Sequence, residues 1–432
     1  MSALDKAPPG EERSESWQAL SDCLRRVREG SWSFIQLRGA SLSDADIDDD
    51  DVDLLGTRES VDALVGAAFE WTKQGCCHFR IRARKGNKTE LTLYSSDGRH
   101  RVLFDLWIAL PQIERGRQVL EYDDCRQVLV LEEGSIRRLC LEAEACLYVQ
   151  HLAAKKKNFR SESVQGRLTF YRDACQRDGI DRLSDLLSGL RESAAFSEEG
   201  DRFTRERLLD LLGRPGRTLR RGKRSSIFRR FGALMIAAPR RLCLLSIMGC
   251  DGAGKSTLAE RLLEASPRIR RVFTGKHLYR KSLLYKLAVI FIRPLTFQSR
   301  ERFDELLAPL VYLRASIGLM VKWFRWRGQL TLIDRSLVDF LYLDRKTDAP
   351  HFAESQWLIR FFGHRIPTVH CVVSYEKVQE RKDEMTRSGH AAYDCDMFQH
   401  FSSRRPTDYV CFNNDQILDE AQGALRRIIE RF

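Results

Sequence analysis

The feature that most constrains the fold of this chain is a glycine-rich turn directly after an apolar run. The apolar run covers residues 242–248, and residues 249–257 read GCDGAGKST, which matches the pattern G-x-x-x-x-G-K-[ST]. Glycines allow backbone N–H groups to surround a phosphate without clashes from Cβ atoms, and a helix that begins there adds the positive end of its dipole. The alternative is a glycine-rich turn that binds no ligand, but such a turn would not explain the lysine or the strand in front of it. The pattern therefore predicts a phosphate-binding loop.

Two side chains of this loop have predicted roles. Lys255 is expected to reach the β- and γ-phosphates of a nucleotide, and the Ser256 hydroxyl is expected to bind Mg²⁺. The sequence thus predicts ATP and Mg²⁺ as cofactors. The residues predicted to contact the nucleotide are Gly249, Asp251, Gly252, Ala253, Gly254, Lys255, Ser256 and Thr257.

The chain has 432 residues, which is enough for two or three domains. Short strand patterns dominate residues 30–110 and predict an N-terminal domain at 15–110, while helical spacing of apolar residues over 112–212 predicts a helical connector at 111–212. Downstream, in residues 241–432, apolar strands alternate with helix-length segments. These strands are predicted at 242–248, 270–273, 329–333 and 368–374. The predicted fold class is α/β: a parallel sheet with helices on both faces, preceded by an α+β domain and a helical connector.

The formal charge of +12 is concentrated in one segment. Ten Lys or Arg and no acidic residue lie between Leu211 and Cys250, and glycines and prolines punctuate residues 213–240. This composition predicts a basic linker between domains. Its interleaved apolar residues suit either docking on the chain itself or peripheral contact with an anionic membrane through residues 214–241. Nucleic-acid binding is not expected, because no recognisable nucleic-acid-binding fold accompanies the charge.

Composition also bears on location. No apolar run approaches the ~18 residues that a membrane-spanning helix requires, since Lys286 and Arg314 interrupt the two best candidates. The acidic N-terminus is unlike a signal peptide. Twelve irregularly spaced cysteines, many in apolar stretches, are typical of reduced core residues. Together these features predict a cytoplasmic location.

A second motif follows a predicted strand of the C-terminal half. Asp334 and Arg335 come directly after residues 329–333, and ligands bind at the carboxyl ends of strands in parallel sheets. Asp334 is a candidate for holding Mg²⁺ or accepting a proton, and Arg335 for gripping an anion.

In these two motifs, residues 240–432 resemble the thymidylate kinase family. The resemblance rests on residues 248–257 and on the Leu-Ile-Asp-Arg run at 332–335. More narrowly, Asp339 and the Asp-Arg-Lys run at 344–346 are similar to thymidylate-kinase-like proteins of bacterial polysaccharide gene clusters. The resemblance implies that Asp251 contacts the acceptor, that Arg335 binds its anionic group, and that Asp334 serves the metal or the proton.

A later segment resembles the lid helix of the same family. The strand at 368–374 leads into a helix-like segment with several cations. Arg381, Lys382 and Arg387 are the candidates for stabilising the transferred phosphoryl group. Ordinary pairing on a helix surface, such as Asp383 with Arg387, is the alternative.

The family pattern is not complete. Thymidylate kinases carry an Arg-Glu-Pro-Gly type of turn after the second strand, whereas this chain has TGKHLYR at residues 274–280. The acceptor is therefore expected to differ from thymidylate. Lys276, Arg280 and Arg302 are candidates for binding another anionic acceptor, although surface helices carry similar charges.

Acidic residues are the distinctive feature of the N-terminal half. Asp51 and Asp53 alternate on one predicted strand, and Asp105 lies on the strand at 102–108. Two carboxylates on one side of a strand repel unless a metal is bound or the site is exposed. Three carboxylates on adjacent strands can hold two Mg²⁺ ions for displacement on a nucleoside triphosphate.

Residues 15–110 resemble the nucleotidyltransferase superfamily with the DNA polymerase beta type of palm. The shared pattern is a glycine turn, then Asp-x-Asp on a strand, then an Asp on a later strand. The turn here reads Gly39-Ala40, which lacks the usual second glycine or serine. A solvated acidic loop with Asp48, Asp49 and Asp50 before an ordinary strand is the alternative.

The sequence as a whole predicts an ATP-dependent phosphotransferase that acts on a small anionic acceptor, either a nucleoside monophosphate or a phosphorylated sugar, fused to a nucleotidyltransferase-like domain. Two alternatives are a nucleotide-regulated binding protein and a chain in which nucleotidyl transfer is the main activity.

Overall fold

The computed structural model describes most of the N-terminal half of the chain and several segments of the C-terminal half. The described residues are 14–38, 51–85, 87–113, 118–133, 136–155, 161–192, 198–213, 244–266, 268–273, 286–287, 290, 330–334, 366–382, 385–403 and 408–431.

Fourteen strands and ten α-helices are defined in the described part of the chain. The strands are β1 (Phe34–Arg38), β2 (Asp51–Gly56), β3 (His78–Lys85), β4 (Lys88–Tyr94), β5 (Arg101–Trp107), β6 (Ala109–Ile113), β7 (Gln118–Glu121), β8 (Leu129–Glu133), β9 (Ile136–Leu139), β10 (Leu244–Met248), β11 (Ile269–Phe273), β12 (Leu330–Asp334), β13 (Thr368–Val372) and β14 (Tyr409–Asn413). The helices are α1 (Glu15–Glu29), α2 (Arg58–Lys73), α3 (Leu141–Lys155), α4 (Glu162–Arg177), α5 (Asp181–Glu192), α6 (Glu198–Leu211), α7 (Lys255–Ala265), α8 (Tyr375–Arg381), α9 (Arg387–Ser403) and α10 (Leu418–Glu430).

The C-terminal half builds a parallel sheet in the order β11-β12-β10-β13-β14. Its strands are short runs of largely apolar residues, and every residue of β13 and β14 is buried. Such runs are typical of parallel strands that are covered on both faces. The strands predicted at 242–248, 270–273, 329–333 and 368–374 are confirmed to within a few residues, while β14 had no counterpart in the sequence analysis.

The N-terminal half continues the same sheet in the order β3-β4-β5-β2-β1-β9-β8. Its pairings are mixed, with β2 parallel to β5 and β3, β4 and β5 antiparallel in succession. Strands β6 and β7 form a separate two-stranded sheet. The expectation of a helical segment from residue 111 is therefore wrong at its start, because β7, β8 and β9 precede α3.

The two halves meet where β14 pairs antiparallel with β3. This pairing joins the two sheets into one sheet of twelve strands. Ion pairs of a buried carboxylate reinforce the seam: Asp408 Oδ1 accepts from the buried Arg80 Nη2 at 2.8 Å and from the partly buried Arg82 Nε at 2.6 Å. Hydrogen bonds link strand to strand across the halves, as when Asn413 N donates to His78 Nδ1 at 3.1 Å.

Helices cover both faces of the sheet at this seam. Asn413 Nδ2 donates to Thr72 O in α2, whereas Arg80 Nη1 donates to Arg431 O just after α10. Arg80 is in register with Val410, three residues from Asn413, so the two side chains point to opposite faces. Helix α10 buries Ala421, Leu425 and other apolar residues at three- and four-residue spacing.

Among the described residues, this arrangement gives two apolar cores. The larger one combines side chains of both halves, such as Phe79, Phe104, Leu258 and Val369. The second is built by α3–α6 against β1, β6 and neighbouring segments. None of the described helices is both long enough and apolar enough to cross a bilayer.

Candidate functional site

The loop at residues 249–257, predicted to bind phosphate, joins β10 to α7. Three of its glycines have positive φ values: 153° for Gly249, 92° for Gly252 and 76° for Gly254. This part of φ/ψ space is disfavoured for residues with a Cβ atom. The helix that follows begins at Lys255, with Gly254 as its left-handed N-cap residue. The local conformation therefore requires the glycines that the motif supplies.

Neighbouring atoms leave little space for a Cβ atom at two of these glycines. A Cβ atom on Gly249 would lie 2.5 Å from the carbonyl oxygen of Cys371 in β13. On Gly254 it would lie 2.8 Å from Asn414 Nδ2 and 3.1 Å from a guanidinium nitrogen of Arg381. The loop is thus held tightly between β13, α8 and the residue after β14.

Lys255 is buried inside the loop. Its Nζ atom donates to the carbonyl oxygens of Gly249 at 2.7 Å and Cys250 at 2.6 Å, and lies 3.9 Å from Asp251 Oδ1. Only 7% of the residue is exposed. The ammonium is therefore held by two carbonyl oxygens of the loop. Ser256 and Thr257, in the first turn of α7, are exposed.

Arg381 is the lid candidate that the structure brings to the loop. It ends α8, and its Nη1 atom donates to Gly252 O at 3.1 Å. Val378 of the same helix packs near Gly252. The end of α8 therefore places a guanidinium group directly on the phosphate-binding loop.

The other two lid candidates have different surroundings. Arg387 Nη2 donates to Glu376 Oε1 at 3.0 Å, with both side chains well exposed, and its guanidinium lies 5.7 Å from the ring centre of Tyr375. Lys382 is exposed just after α8. Arg387 is thus engaged in a surface ion pair with Glu376, while Asp383, the partner that the sequence suggested, lies outside the described residues.

Asp334 lies at the carboxyl end of β12, as predicted. It is in register with Ile247 of β10, two residues before the loop, and with Phe273 of β11. The backbone thus brings Asp334 to the edge of the sheet that carries the loop. Several other predicted site residues lie outside the described residues, namely Arg335, Lys276, Arg280, Arg302, Asp339, residues 344–346 and the basic segment 214–241.

A buried polar network lies beneath the loop. The Nδ1 atom of His370 in β13 and the Tyr409 hydroxyl form a hydrogen bond of 2.8 Å, and His370 Nε2 lies 3.3 Å from Asp394 Oδ1.

Burial, with a smaller contribution from the Asp394 carboxylate, raises the pKa of Cys250 to about 12. The Cys250 thiol is therefore neutral and unreactive at neutral pH.

In the N-terminal half, the strand register aligns the predicted carboxylates. Asp53 of β2 is the direct partner of Asp105 on β5, and Asp105 is the direct partner of Glu90 on β4. Asp53, Asp105 and Glu90 are all buried. Asp51 is exposed and sits in register with Leu103. The structure therefore brings together Asp53 and Asp105, adds Glu90 and leaves Asp51 at the exposed end of β2.

A lysine lies among these carboxylates. Lys88 Nζ contacts Asp105 Oδ2, lies 3.7 Å from Glu90 Oε1, and is 5.0 Å from the ring centre of Trp107. Trp107 Nε1 in turn donates to Asp53 Oδ1 at 3.2 Å. Burial raises the pKa of Asp105 to about 6, and the Lys88 ammonium partly offsets that shift.

The space beside Asp53 is small. A cavity of about 20 Å³ is lined by Asp53, Trp107, Tyr148, His151 and apolar neighbours, which is room for about one water molecule. In the part of the chain that the structure describes, no three His, Cys, Asp or Glu side chains are grouped so that they could hold a metal ion.

Sequence reasoning missed four residues that shape these sites. Asn414 Nδ2 donates to Ala253 O at 2.7 Å, and Asp415 accepts from Ser374 N at 3.0 Å at the start of α8. The Asn-Asn-Asp run at 413–415, directly after the four apolar residues 409–412, was the available signal for the first two. Lys88 and Glu90 alternate on β4 and could have been found only with the register of β4 and β5.

Comparisons with known proteins add little to this geometry. The sequence matches no protein-family model, and no curated protein is significantly similar to it. A solved structure of thymidylate kinase from Candida albicans is similar with a TM-score of 0.30 and 18% identity, over 44% of this chain and 91% of that chain. A similarity this weak defines neither activity nor substrate. The strand order β11-β12-β10-β13-β14, with the glycine loop after β10, is by itself compatible with a P-loop kinase-like fold.

Proposed function

We propose that residues 241–432 form an ATP-dependent phosphotransferase whose acceptor is small and anionic, either a nucleoside monophosphate or a phosphorylated sugar. One observation carries the proposal. The loop at 249–257 has the glycine conformations, the buried Lys255 and the following helix that binding of a nucleoside triphosphate requires. It also has Arg381 in contact with it, which a loop used only as a connection would not need.

The described residues fit ATP with Mg²⁺. The cradle at Gly249, Gly252 and Gly254 is one that a Cβ atom would obstruct, and α7 points its N-terminus into it. Ser256 and Asp334 are the residues that would hold Mg²⁺. When bound, the ion neutralises charge on the phosphates and orients them.

The chain's own groups have distinct tasks in this proposal. Loop N–H groups bind the β-phosphate, and Lys255 transfers its hydrogen bonds from the carbonyls of Gly249 and Cys250 to phosphate oxygens. Arg381 stabilises the charge that spreads over the transferred group. Asp251, beside Lys255, faces the acceptor, and Arg335 binds the acceptor's anionic group.

For residues 15–110 the proposal concerns fold alone. Parallel β2 and β5 with aligned aspartates favour a nucleotidyltransferase-like arrangement. Peripheral membrane contact through 214–241 remains a proposal based on charge and apolar spacing.

Product formation from labelled ATP with a panel of nucleoside monophosphates and sugar phosphates tests the proposed function. We expect phosphoryl transfer to at least one anionic acceptor, and loss of that transfer when Asp334 is replaced by Asn, chiefly through kcat. ATP binding without turnover across the panel would instead support a nucleotide-regulated binding protein. Absence of ATP binding would contradict both.

A further inference from the structure

The aligned carboxylates of the N-terminal half share one face of the sheet. Asp53, Asp105 and Glu90 are direct register partners on β2, β5 and β4, and partners in register project to the same side. All three are buried. Like charges at this spacing repel one another unless a cation lies among them.

The chain itself supplies that cation. Lys88 precedes Glu90 by two residues on β4, so both side chains project to the same face. Its ammonium contacts Asp105 Oδ2 and lies 3.7 Å from Glu90 Oε1. Trp107 lies beside the ammonium, at 5.0 Å from its ring centre, and donates to Asp53 Oδ1. Asp105 and Glu90 therefore have the Lys88 ammonium of β4 as a neighbour, and Asp53 has the Trp107 indole of β5.

We propose that the Lys88 ammonium takes the place of a divalent metal ion in this half of the protein, so that Asp53, Asp105 and Glu90 form a metal-independent polar centre. The residues present do not fit the metal site that the sequence predicted for Asp51, Asp53 and Asp105. Asp51 lies at the exposed end of β2, and a fixed ammonium stands beside Asp105 and repels a second cation.

A second cation, the guanidinium of Arg82, extends the same charge pattern. Arg82 of β3 is in register with Glu90, with Nη1 4.0 Å from Glu90 Oε2, and its Nε donates to Asp408. Lys88 and Arg82 thus flank Glu90 from two sides. Asp105 Oδ1 is left without a hydrogen-bond partner among the described residues, so this carboxylate would attract an external cation once the ammonium were removed.

The test uses the full chain without nucleotide and Mn²⁺ as the probe, with free Mn²⁺ measured by electron paramagnetic resonance. We expect the wild-type protein to bind Mn²⁺ no more tightly than an Asp105→Asn variant. Lys88→Met removes the charge and keeps the length of the side chain. It should bind Mn²⁺ at least about tenfold more tightly than wild type, because an ammonium a few ångströms from the ion is lost.

Matched variants separate this effect from general charge changes. Lys88→Arg keeps a cation and should bind Mn²⁺ as weakly as wild type, while the double variant Lys88→Met, Asp105→Asn should lose the gained affinity. A folded Lys88→Met protein without increased affinity would overturn the proposal. If Lys88→Met does not fold, wild type decides: tight Mn²⁺ binding that Asp53→Asn or Asp105→Asn abolishes would overturn it, and binding unchanged by either substitution supports it.

Discussion

Two arginines of the predicted lid differ in their contacts with the phosphate-binding loop. Arg381 donates to Gly252 O, whereas Arg387 is tied to Glu376 in an exposed ion pair. Arg381→Ala should lower the rate of phosphoryl transfer by about 100-fold, since one fixed donor at such a site contributes roughly 3 kcal/mol to transition-state stabilisation.

The matched substitution Arg387→Ala should change the rate by no more than a few-fold, because exposed ion pairs contribute about 0–1 kcal/mol. Steady-state kinetics with saturating ATP compares the two. Equal losses in both variants would mean that the contact of Arg381 with the loop has no catalytic value.

His78 makes the seam between the halves sensitive to acid. Its Nδ1 accepts from Asn413 N–H, so the proton resides on Nε2, which donates to Ser96 O at 2.8 Å. Burial lowers the pKa of His78 to about 4. Because the folded-state pKa is below the unfolded value of 6.5, the unfolded chain binds the proton first as pH falls.

Neutral His78 makes its full contribution to the free energy of unfolding above pH 6.5, and this contribution is lost as pH falls from 6.5 towards 4. The loss amounts to roughly 3 kcal/mol in the free energy of unfolding. Urea unfolding of wild type and His78→Gln at several pH values measures it. We expect the stability of His78→Gln to fall less steeply in this window, and parallel pH profiles would contradict the assignment.

The sequence predicted the phosphate loop but not the residues around Asp105. Residues 249–257 form a local motif whose glycines, Lys255 and Ser256 specify their own conformation within nine positions. The roles of Lys88 and Glu90 depend on the pairing of β4 with β5, which no local pattern specifies. Asn414 likewise reaches Ala253 across 161 positions of sequence.

At the level of elements, β14 is the strand that joins the two halves of the sheet, through its pairing with β3. Asp408, directly before β14, is buried and accepts from both Arg80 and Arg82 of β3. Asp408→Asn should lower the free energy of unfolding by about 3–5 kcal/mol, because the buried guanidinium of Arg80 and the partly buried guanidinium of Arg82 lose the carboxylate charge that they share. Glu430→Gln, which breaks the exposed pair with Arg426, is the matched control and should cost less than about 1 kcal/mol.

Chemical denaturation of the two variants measures this difference. A cost for Asp408→Asn as small as that for Glu430→Gln would show that the ion pairs do not stabilise the seam.

The predictability of the elements follows from their context in sequence. Strands β10–β13 alternate with long segments, and their apolar runs were recognised. Strand β14 is a five-residue run, YVCFN, whose antiparallel partner β3 lies more than 300 positions earlier, and the sequence analysis overlooked it. Strands β7–β9 were expected to be helical because their Leu and Val spacing resembles that of the helices that follow.

At the level of the whole molecule, one sheet and one large core include both halves. The halves should therefore unfold together, in one calorimetric transition whose midpoint rises with ATP, since a ligand bound only to the folded state stabilises it by mass action. Two transitions, of which ATP shifts only one, would show that the halves are independent domains, as the sequence division at 213–240 predicts.

The effect of Lys255→Ala on transfer of the γ-phosphoryl group from labelled ATP tests most directly whether residues 249–257 are a catalytic phosphate-binding loop. The surface variant Lys73→Ala is the control. If Lys255 neutralises charge on the phosphates, Lys255→Ala should lower the transfer rate by at least about 100-fold, for a loss of roughly 3 kcal/mol, while Lys73→Ala keeps wild-type activity. Wild-type transfer by the Lys255→Ala protein would contradict the assignment of residues 249–257 as the catalytic phosphate-binding loop.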